Sequence, residues 1–351
     1  MHPADKALLR LAIGMGLTVL IAYGLPLQLP FVSCVLAVVL LAKPGPPMPL
    51  VKGLVVAFVV ALLLAVGMLM VPVLQHYAAA GVLLTAVVLF GLFFAGARTA
   101  NPLSTILVIS FAIIPVAGVA SQPFAIELGQ SLAVGFGVGA LVGGISHALF
   151  PDPPRATVPA APAGATAQAA GWTALRATLV VMPVFVLALT NPAFYIAAIM
   201  KTTMLGQQAG ATSARAAGKE LVGSTLMGAL MAAAVWAGLT LRPNLWMLML
   251  WIVAATFWAG SRLFRIRRTS VEPSFWVNAL MTMFILLGPA IEDAAVGKDV
   301  FNASLFRVTL FVVVSLYAWA TVWVLELISS WPARSRPPVP AYTQPGSGHR
   351  P

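Results

Sequence analysis

The sequence predicts an all-α polytopic membrane protein with about 12 (10–12) transmembrane helices in two direct six-helix repeats. Three observations carry that prediction. First, the 351-residue chain is 60% hydrophobic and 8% charged, with a mean hydropathy of +0.97, whereas about a quarter of the residues of a soluble domain are charged. Second, landmarks recur at a near-constant separation. Ala7-Leu8-Leu9-Arg10 returns as Thr173-Ala174-Leu175-Arg176, and Pro26 as Pro192. Lys52-Gly53-Leu54 returns as Lys219-Glu220-Leu221, and Phe93-Phe94-Ala95-Gly96-Ala97-Arg98 as Phe257-Trp258-Ala259-Gly260-Ser261-Arg262. The offsets are 166, 166, 167 and 164, the mark of a chain with duplicated halves. Third, the basic residues fall on one side of the topology that six spans per half would produce.

Taken in order, the apolar segments run at about 8–25, 30–42, 51–71, 80–96, 102–119 and 128–149, then 174–190, 192–200, 220–240, 245–261, 274–290 and 305–328. Lys6 and Arg10 followed by Leu11 to Leu25 resemble a signal peptide, but no small-residue cleavage site follows, so the segment reads as a retained helix. The second and eighth are too short, at 1.5 Å per residue, to cross a core of about 30 Å without their flanks. Each is expected to borrow from them or to form a shallow hairpin with its predecessor at Pro26/Pro30 or Asn191-Pro192. Fusing each such pair into one kinked span would give five helices per half and an inverted repeat. Charge favours six. That arrangement puts seventeen of the twenty Lys and Arg residues on one side, Lys43, Lys201, Arg215 and Arg262 among them, leaving Arg242, Lys298 and Arg307 on the other, as the positive-inside rule requires. Residues 1–150 and 172–330 are then the two membrane repeats, 151–171 a flexible Pro- and Ala-rich cytoplasmic linker, and 331–351 a disordered cytoplasmic tail.

The formal charge of +11 does not indicate nucleic acid, because the basic residues are dispersed over short loops rather than gathered in a stripe. Cys34 is the single cysteine and reads as a small core residue. His2, His76, His147 and His349 stand in separate segments without ligand spacing, so no metal and no cofactor is expected. The glycines of Gly135-Phe136-Gly137-Val138-Gly139 lie inside an apolar helix with no preceding strand, which excludes a dinucleotide loop. With neither a nucleophile elbow nor a Walker sequence, the chain is not read as an enzyme. Ser131, Gly135, Gly139 and Gly143 instead recur every four residues, lining a helix face that another backbone can approach closely.

Ionisable groups near membrane depth are the default functional candidates. His147, Glu127 and Asp293 are the candidates for proton coupling; Glu292 and Glu326 also lie near helix ends, where a snorkelling role accounts for them equally well. Arg98 and Arg262 each end the fourth segment of their half, and Arg10 and Arg176 each open a first segment. A guanidinium presents a planar fork to a carboxylate, so these four are candidates for binding an anionic substrate. A basic residue at a helix end also satisfies topology and the helix dipole with no further role. The aromatic and methionine stripe of Trp246, Met247, Met249, Trp251 and Trp258 reads as interface belt and core packing.

Leu8-Leu9-Arg10-Leu11-Ala12, the proline-broken pair ending Pro30-Phe31, and the two Arg-ended motifs at Arg98 and Arg262 together resemble the fusaric acid resistance and aromatic acid exporter (FUSC-like) family, in its short membrane-only branch. The resemblance implies a bacterial inner-membrane efflux component for aromatic acids or related toxic compounds. It also implies a periplasmic membrane-fusion adaptor, with an outer-membrane channel beyond it. Full-length members carry a cytoplasmic domain between the halves that this chain lacks. The expected function is therefore secondary, proton-driven efflux of a small-molecule substrate from a lipid-embedded protein with both termini cytoplasmic. The alternative is a non-transporting scaffold subunit, since glycine-rich faces suit assembly, including a homo-oligomer, as well as they suit transport.

Overall fold

The computed structural model describes residues 2–25, 27–42, 50–99, 102–151, 165–209 and 218–334. Among these residues there are no strands. The helices are α1 (Pro3–Gly24), α2 (Pro30–Leu41), α3 (Leu50–Val66), α4 (Met70–His76), α5 (Ala78–Thr99), α6 (Pro102–Ala120) and α7 (Gln122–Leu149). After the linker come α8 (Ala167–Thr190), α9 (Pro192–Ala209), α10 (Gly223–Leu241), α11 (Leu245–Leu263), α12 (Pro273–Ala295) and α13 (Val300–Arg334). Ten helical stretches among the described residues are long and apolar enough to cross a membrane. The chain is a multi-pass helical membrane protein.

Local chemistry sets the helix boundaries. Proline is the first residue of α1, α2, α6, α9 and α12, where its missing N–H costs nothing and its φ suits a helix. Ser121, Thr166, Asn191 and Asn244 cap α7, α8, α9 and α11 by accepting from the N–H of Phe124, Ala169, Phe194 and Met247. Asp299 caps α13, accepting from the N–H of Phe301 at 3.0 Å and of Asn302 at 3.1 Å. The hydrogen bond from the Asn302 backbone, then that from its side chain, pulls the Asp299 carboxyl below its usual value. A depressed carboxylate stabilises the fold above its unfolded pKa of about 3.9, and that contribution disappears as pH falls through the lower folded value. Amide exchange at Phe301 and Asn302 is therefore expected to accelerate, relative to the rest of α13, only below about pH 4.

α3 and α4 are one membrane crossing interrupted by a 3-10 turn at Gly67–Leu69. Pro72, three residues past the turn, has no N–H to give and crowds the carbonyl four residues back. The Ser110 hydroxyl repairs the break, accepting from Gly67 N–H at 2.9 Å and donating to the Leu64 carbonyl at 3.1 Å. A Cβ at Gly67 would stand 2.5 Å from the Ser110 carbonyl oxygen, so only glycine allows this approach. Ser110→Ala leaves the buried amide without its acceptor and is expected to lower stability in detergent by about 1–3 kcal/mol, read by thermal unfolding.

Each short connection folds its helix back along the previous one: α2 on α1, α5 on α4, α6 on α5, α7 on α6 and α9 on α8. Lys6 Nζ donates to the Pro151 carbonyl at 2.7 Å, and Ala165 N–H to the Ala97 carbonyl at 2.9 Å. The start of α1, the end of α7, the end of α5 and the start of α8 therefore share one end of the bundle, called here the proximal end. With α3 and α4 counted as one crossing, the groups α1–α7 and α8–α13 have six elements each and meet through reciprocal contacts. α1 lies along α11 and α5 along α8; α2 packs on α12 and α6 on α9.

Several boundaries differ from those expected. α7 starts at Gln122, so Glu127 is in its second turn rather than at its start. α8 starts at Ala167, inside the segment read as linker, and α13 extends to Arg334, inside the segment read as tail. Residues 152–164, 210–217 and 335–351 lie outside the described residues, as do Pro26 and Lys43. Pro30 and Pro192 each open the second helix of their group, 162 residues apart. The largest correction concerns α9. The apolar run stops at Met200, but the helix continues to Ala209, 18 residues in all, about 27 Å at 1.5 Å per residue. Lys201, read as a loop cation, sits midway along it.

Candidate functional site

α12 is the element around which polar groups gather. It is the most enclosed of the candidate spans among the described residues. Asn278, Thr282, Pro289 and Asp293 follow at steps of four, seven and four, which places them on one helix face. Asn278, Thr282 and Asp293 are buried.

At mid-depth, Lys201 of α9 reaches this face. It is 2% exposed, and its Nζ donates to Thr282 Oγ1 at 2.6 Å; Thr282 donates in turn to the Asn278 carbonyl at 2.7 Å. Among the described residues no carboxylate pairs with Lys201. The neighbouring Thr202 and Thr203 turn their hydroxyls back onto Ala198 O and Ile199 O, so neither serves the ammonium. Behind Thr282 lies Gly228 of α10, whose Cβ would stand 2.5 Å from Thr282 Cβ and 2.6 Å from Ala279 O. Glycine there lets α10 press α12 toward α9.

At the distal end, the end opposite Lys6, the same face carries Asp293. Arg307 of α13 pairs with it at 2.7 Å, and Lys298 stands at 3.8 Å. Gly297, at φ +70, ends α12 in the left-handed conformation and turns the chain so that α13 returns Arg307 to Asp293. Glu292 lies within electrostatic reach of Asp293, Arg307 and Glu127, and Tyr23 at the end of α1 within reach of Glu292. The structure thus brings two of the coupling candidates, Glu127 and Asp293, into one distal cluster. The third, His147, is at the proximal end of α7, where its Nδ1 stands 2.8 Å from the Gly143 carbonyl.

The four candidate arginines share the proximal end in two groups. Gly260 packs against Leu8 and Leu11, which sets the Arg262 turn beside the Arg10 turn; α5 along α8 does the same for Arg98 and Arg176. Their environments differ. Arg10 is buried, with its Nε donating to the Lys6 carbonyl at 3.4 Å. Arg262 lies over the Trp258 ring at 3.9 Å and 5.4 Å from that of Trp276, and donates to the Trp258 carbonyl; the tryptophan ring accordingly holds a cation rather than only filling the belt. Arg176 Nε is buried with no hydrogen-bond partner among the described residues, and Arg98 is exposed.

The small-residue face of α7 is occupied by α2. A Cβ at Gly135 would stand 2.9 Å from Ser33 Cα and one at Gly139 2.8 Å from Leu40 Cδ1, so this face is a packing surface. An apolar groove of about 270 Å³ lies between α3, α6 and α7, lined by residues such as Leu64, Met68, Ile114 and Gly129; it shares no residue with the α12 polar face. No group of three or more His, Cys, Asp or Glu side chains among the described residues could hold a metal ion.

Fold and site together define a multi-pass helical membrane protein with a charged centre buried between its helices. A family model described as a protein of unknown function (DUF2955) matches residues 7–144, which is α1 through most of α7. No curated protein and no solved structure matches the chain.

Proposed function

We propose that the protein is a secondary transporter of the bacterial inner membrane that exports aromatic acids or related small organic acids, driven by protons and working with a periplasmic adaptor. The observation that carries this reading is Lys201, an ionisable side chain buried midway along α9, which is packed among the candidate spans α6, α8 and α13, and set against the polar face of α12. Burying a cation there costs several kcal/mol, and intramembrane charges mark substrate or ion pathways. The reciprocal packing of α1 on α11 with α5 on α8, and of α2 on α12 with α6 on α9, supports two similar halves that rock about a shared interface, the usual basis of alternating access. With the proximal end cytoplasmic, eleven of the fourteen described basic residues other than Lys201 lie on that side, leaving Arg242, Lys298 and Arg307 on the other, in keeping with the positive-inside rule. The distal cluster of Glu127, Glu292, Asp293 and Arg307 then faces the periplasm, where protons would enter. The proximal arginines Arg10, Arg98, Arg176 and Arg262 collect the anion from the cytoplasm.

The test is retention of radiolabelled aromatic acids in cells lacking or overexpressing the protein, with an adaptor supplied, before and after a protonophore. Faster loss of an acid on overexpression, suppressed by the protonophore, is the expected result. Unchanged retention across the panel, with the protein confirmed in the membrane, would overturn the reading in favour of a scaffold.

A further inference from the structure

We infer that Lys201 and Thr282 form an intramembrane binding site for the carboxylate of a small organic acid, a conclusion that rests on the transport reading for its physiological role but not for the binding itself. An ammonium has three N–H donors and a full charge to satisfy. Among the described residues Lys201 finds one acceptor, the Thr282 hydroxyl, and no counter-charge. Both deficits disappear when a carboxylate arrives, since it supplies the charge and several lone pairs at once.

The geometry also favours a carboxylate over other anions. Lys201 Nζ and Thr282 Oγ1 are 2.6 Å apart, so two donors sit side by side, matching the two oxygens of one carboxylate. Thr282 becomes the second donor when its O–H leaves the Asn278 carbonyl, which it now serves at 2.7 Å, and turns to the ligand. One cation and one hydroxyl suit a single negative charge. A phosphate dianion would leave charge unmatched in a place where that costs several kcal/mol. A carboxylic acid can also reach this depth uncharged and give its proton to a neutral amine: the O–H bond breaks, the third N–H bond of the ammonium forms, and the resulting ion pair stays in place. An ammonium that is already charged pairs directly with the carboxylate, and the bound complex is the same.

The site lies where motion would open it. α9 packs on α6 of the other group, and α12 on α2, so the α9–α12 gap opens when α9 moves with α6 while α12 stays with α2. Gly228 behind Thr282 leaves no slack on the α10 side, and the opening must therefore come from α9. In the substrate-free arrangement the Lys201–Thr282 hydrogen bond closes the gap, and the ligand replaces it.

The test uses purified full-length protein in detergent and the probe benzoate, with benzamide and chloride as controls, read by thermal unfolding. Benzoate is expected to raise the unfolding temperature saturably, by about 2 °C or more when well above its Kd, with neither control doing so. Lys201→Met, which keeps a four-atom unbranched stem and removes the amine, should abolish the shift. Thr282→Val should weaken the apparent Kd about tenfold, and it decides the matter if Lys201→Met does not fold. A shift of equal size in both variants, or none in the wild type up to about 10 mM, ten times the upper end of common KM values, would overturn the site. Proteoliposomes loaded with radiolabelled benzoate separate this from the transport reading. Equal movement by wild type and Lys201→Met removes the site and leaves transport standing. Binding lost in Lys201→Met, with no movement by wild type, keeps the site and removes transport of this acid.

Discussion

Asp293→Ala is expected to destabilise the protein by about 3–5 kcal/mol, because it strands the Arg307 guanidinium at a partly buried position without its counter-charge. Asp293 is 7% exposed and holds Arg307 at 2.7 Å. Lys298 at 3.8 Å is 70% exposed, so water satisfies it when the carboxylate is gone; Arg307, whose side chain is 20% exposed, has less recourse. The cost should therefore follow Arg307 and not Lys298. Arg307→Leu in the Asp293→Ala background removes the stranded charge, and much of the loss should return, as it does when a buried ion pair is replaced as a unit by apolar groups. Lys298→Ala alone should change stability by less than about 0.5 kcal/mol. Denaturant titration in detergent of the wild type, Asp293→Ala, Arg307→Leu and the double variant gives the coupling energy directly. A coupling near zero would mean that the pair is solvated and that the distal end of α12 is held by packing alone.

Gly228→Leu is expected to be comparably severe, about 3 kcal/mol, with loss of any activity that depends on Lys201. The added side chain must enter a space where even a Cβ meets Thr282 Cβ at 2.5 Å and the Ala279 carbonyl oxygen at 2.6 Å. Part of that obstacle is backbone, which cannot rotate away, so α10 and α12 must separate, and overpacking of this kind costs about 1–3 kcal/mol or more. Separation also moves Thr282 relative to Lys201. Gly143→Ala is the control. Its Cβ would find Leu41 Cδ2 at an ordinary 3.9 Å, and stability should stay within about 0.5 kcal/mol of the wild type. Monodispersity on size exclusion and the midpoint of thermal unfolding would separate the two; equal midpoints for both variants would contradict the packing described for α10 and α12.

Much of the local structure was legible in the residues themselves. Prolines opened the helices at Pro3, Pro30, Pro102, Pro192 and Pro273, and Ser121, Asn191 and Asn244 capped theirs, because first-turn geometry depends on neighbours in sequence. The stripe of Ser131, Gly135, Gly139 and Gly143 announced a close helix contact, since small residues every four positions admit a backbone whatever its source. The break at Gly67 was missed although Pro72 stood ready to signal it; the apolar run continues unbroken to Val71, and hydropathy does not register a missing N–H.

Lys201 was misplaced for a related reason. A cation followed by Thr202, Thr203, Gln207 and Gln208 reads as the end of an apolar run, and an isolated helix in lipid would have ended there or let the lysine snorkel. The sequence by itself determined the membrane class, the helix starts marked by proline or by a capping side chain, and the small-residue face. These depend on composition and on contacts within about a turn of helix. Only the tertiary structure decided that α9 continues to Ala209, that Thr282 of α12 receives the lysine, and that Arg307 returns to Asp293. Each of those pairings joins residues on different helices, and the stabilisation that makes a buried charge tolerable exists only once the partner helix is in place.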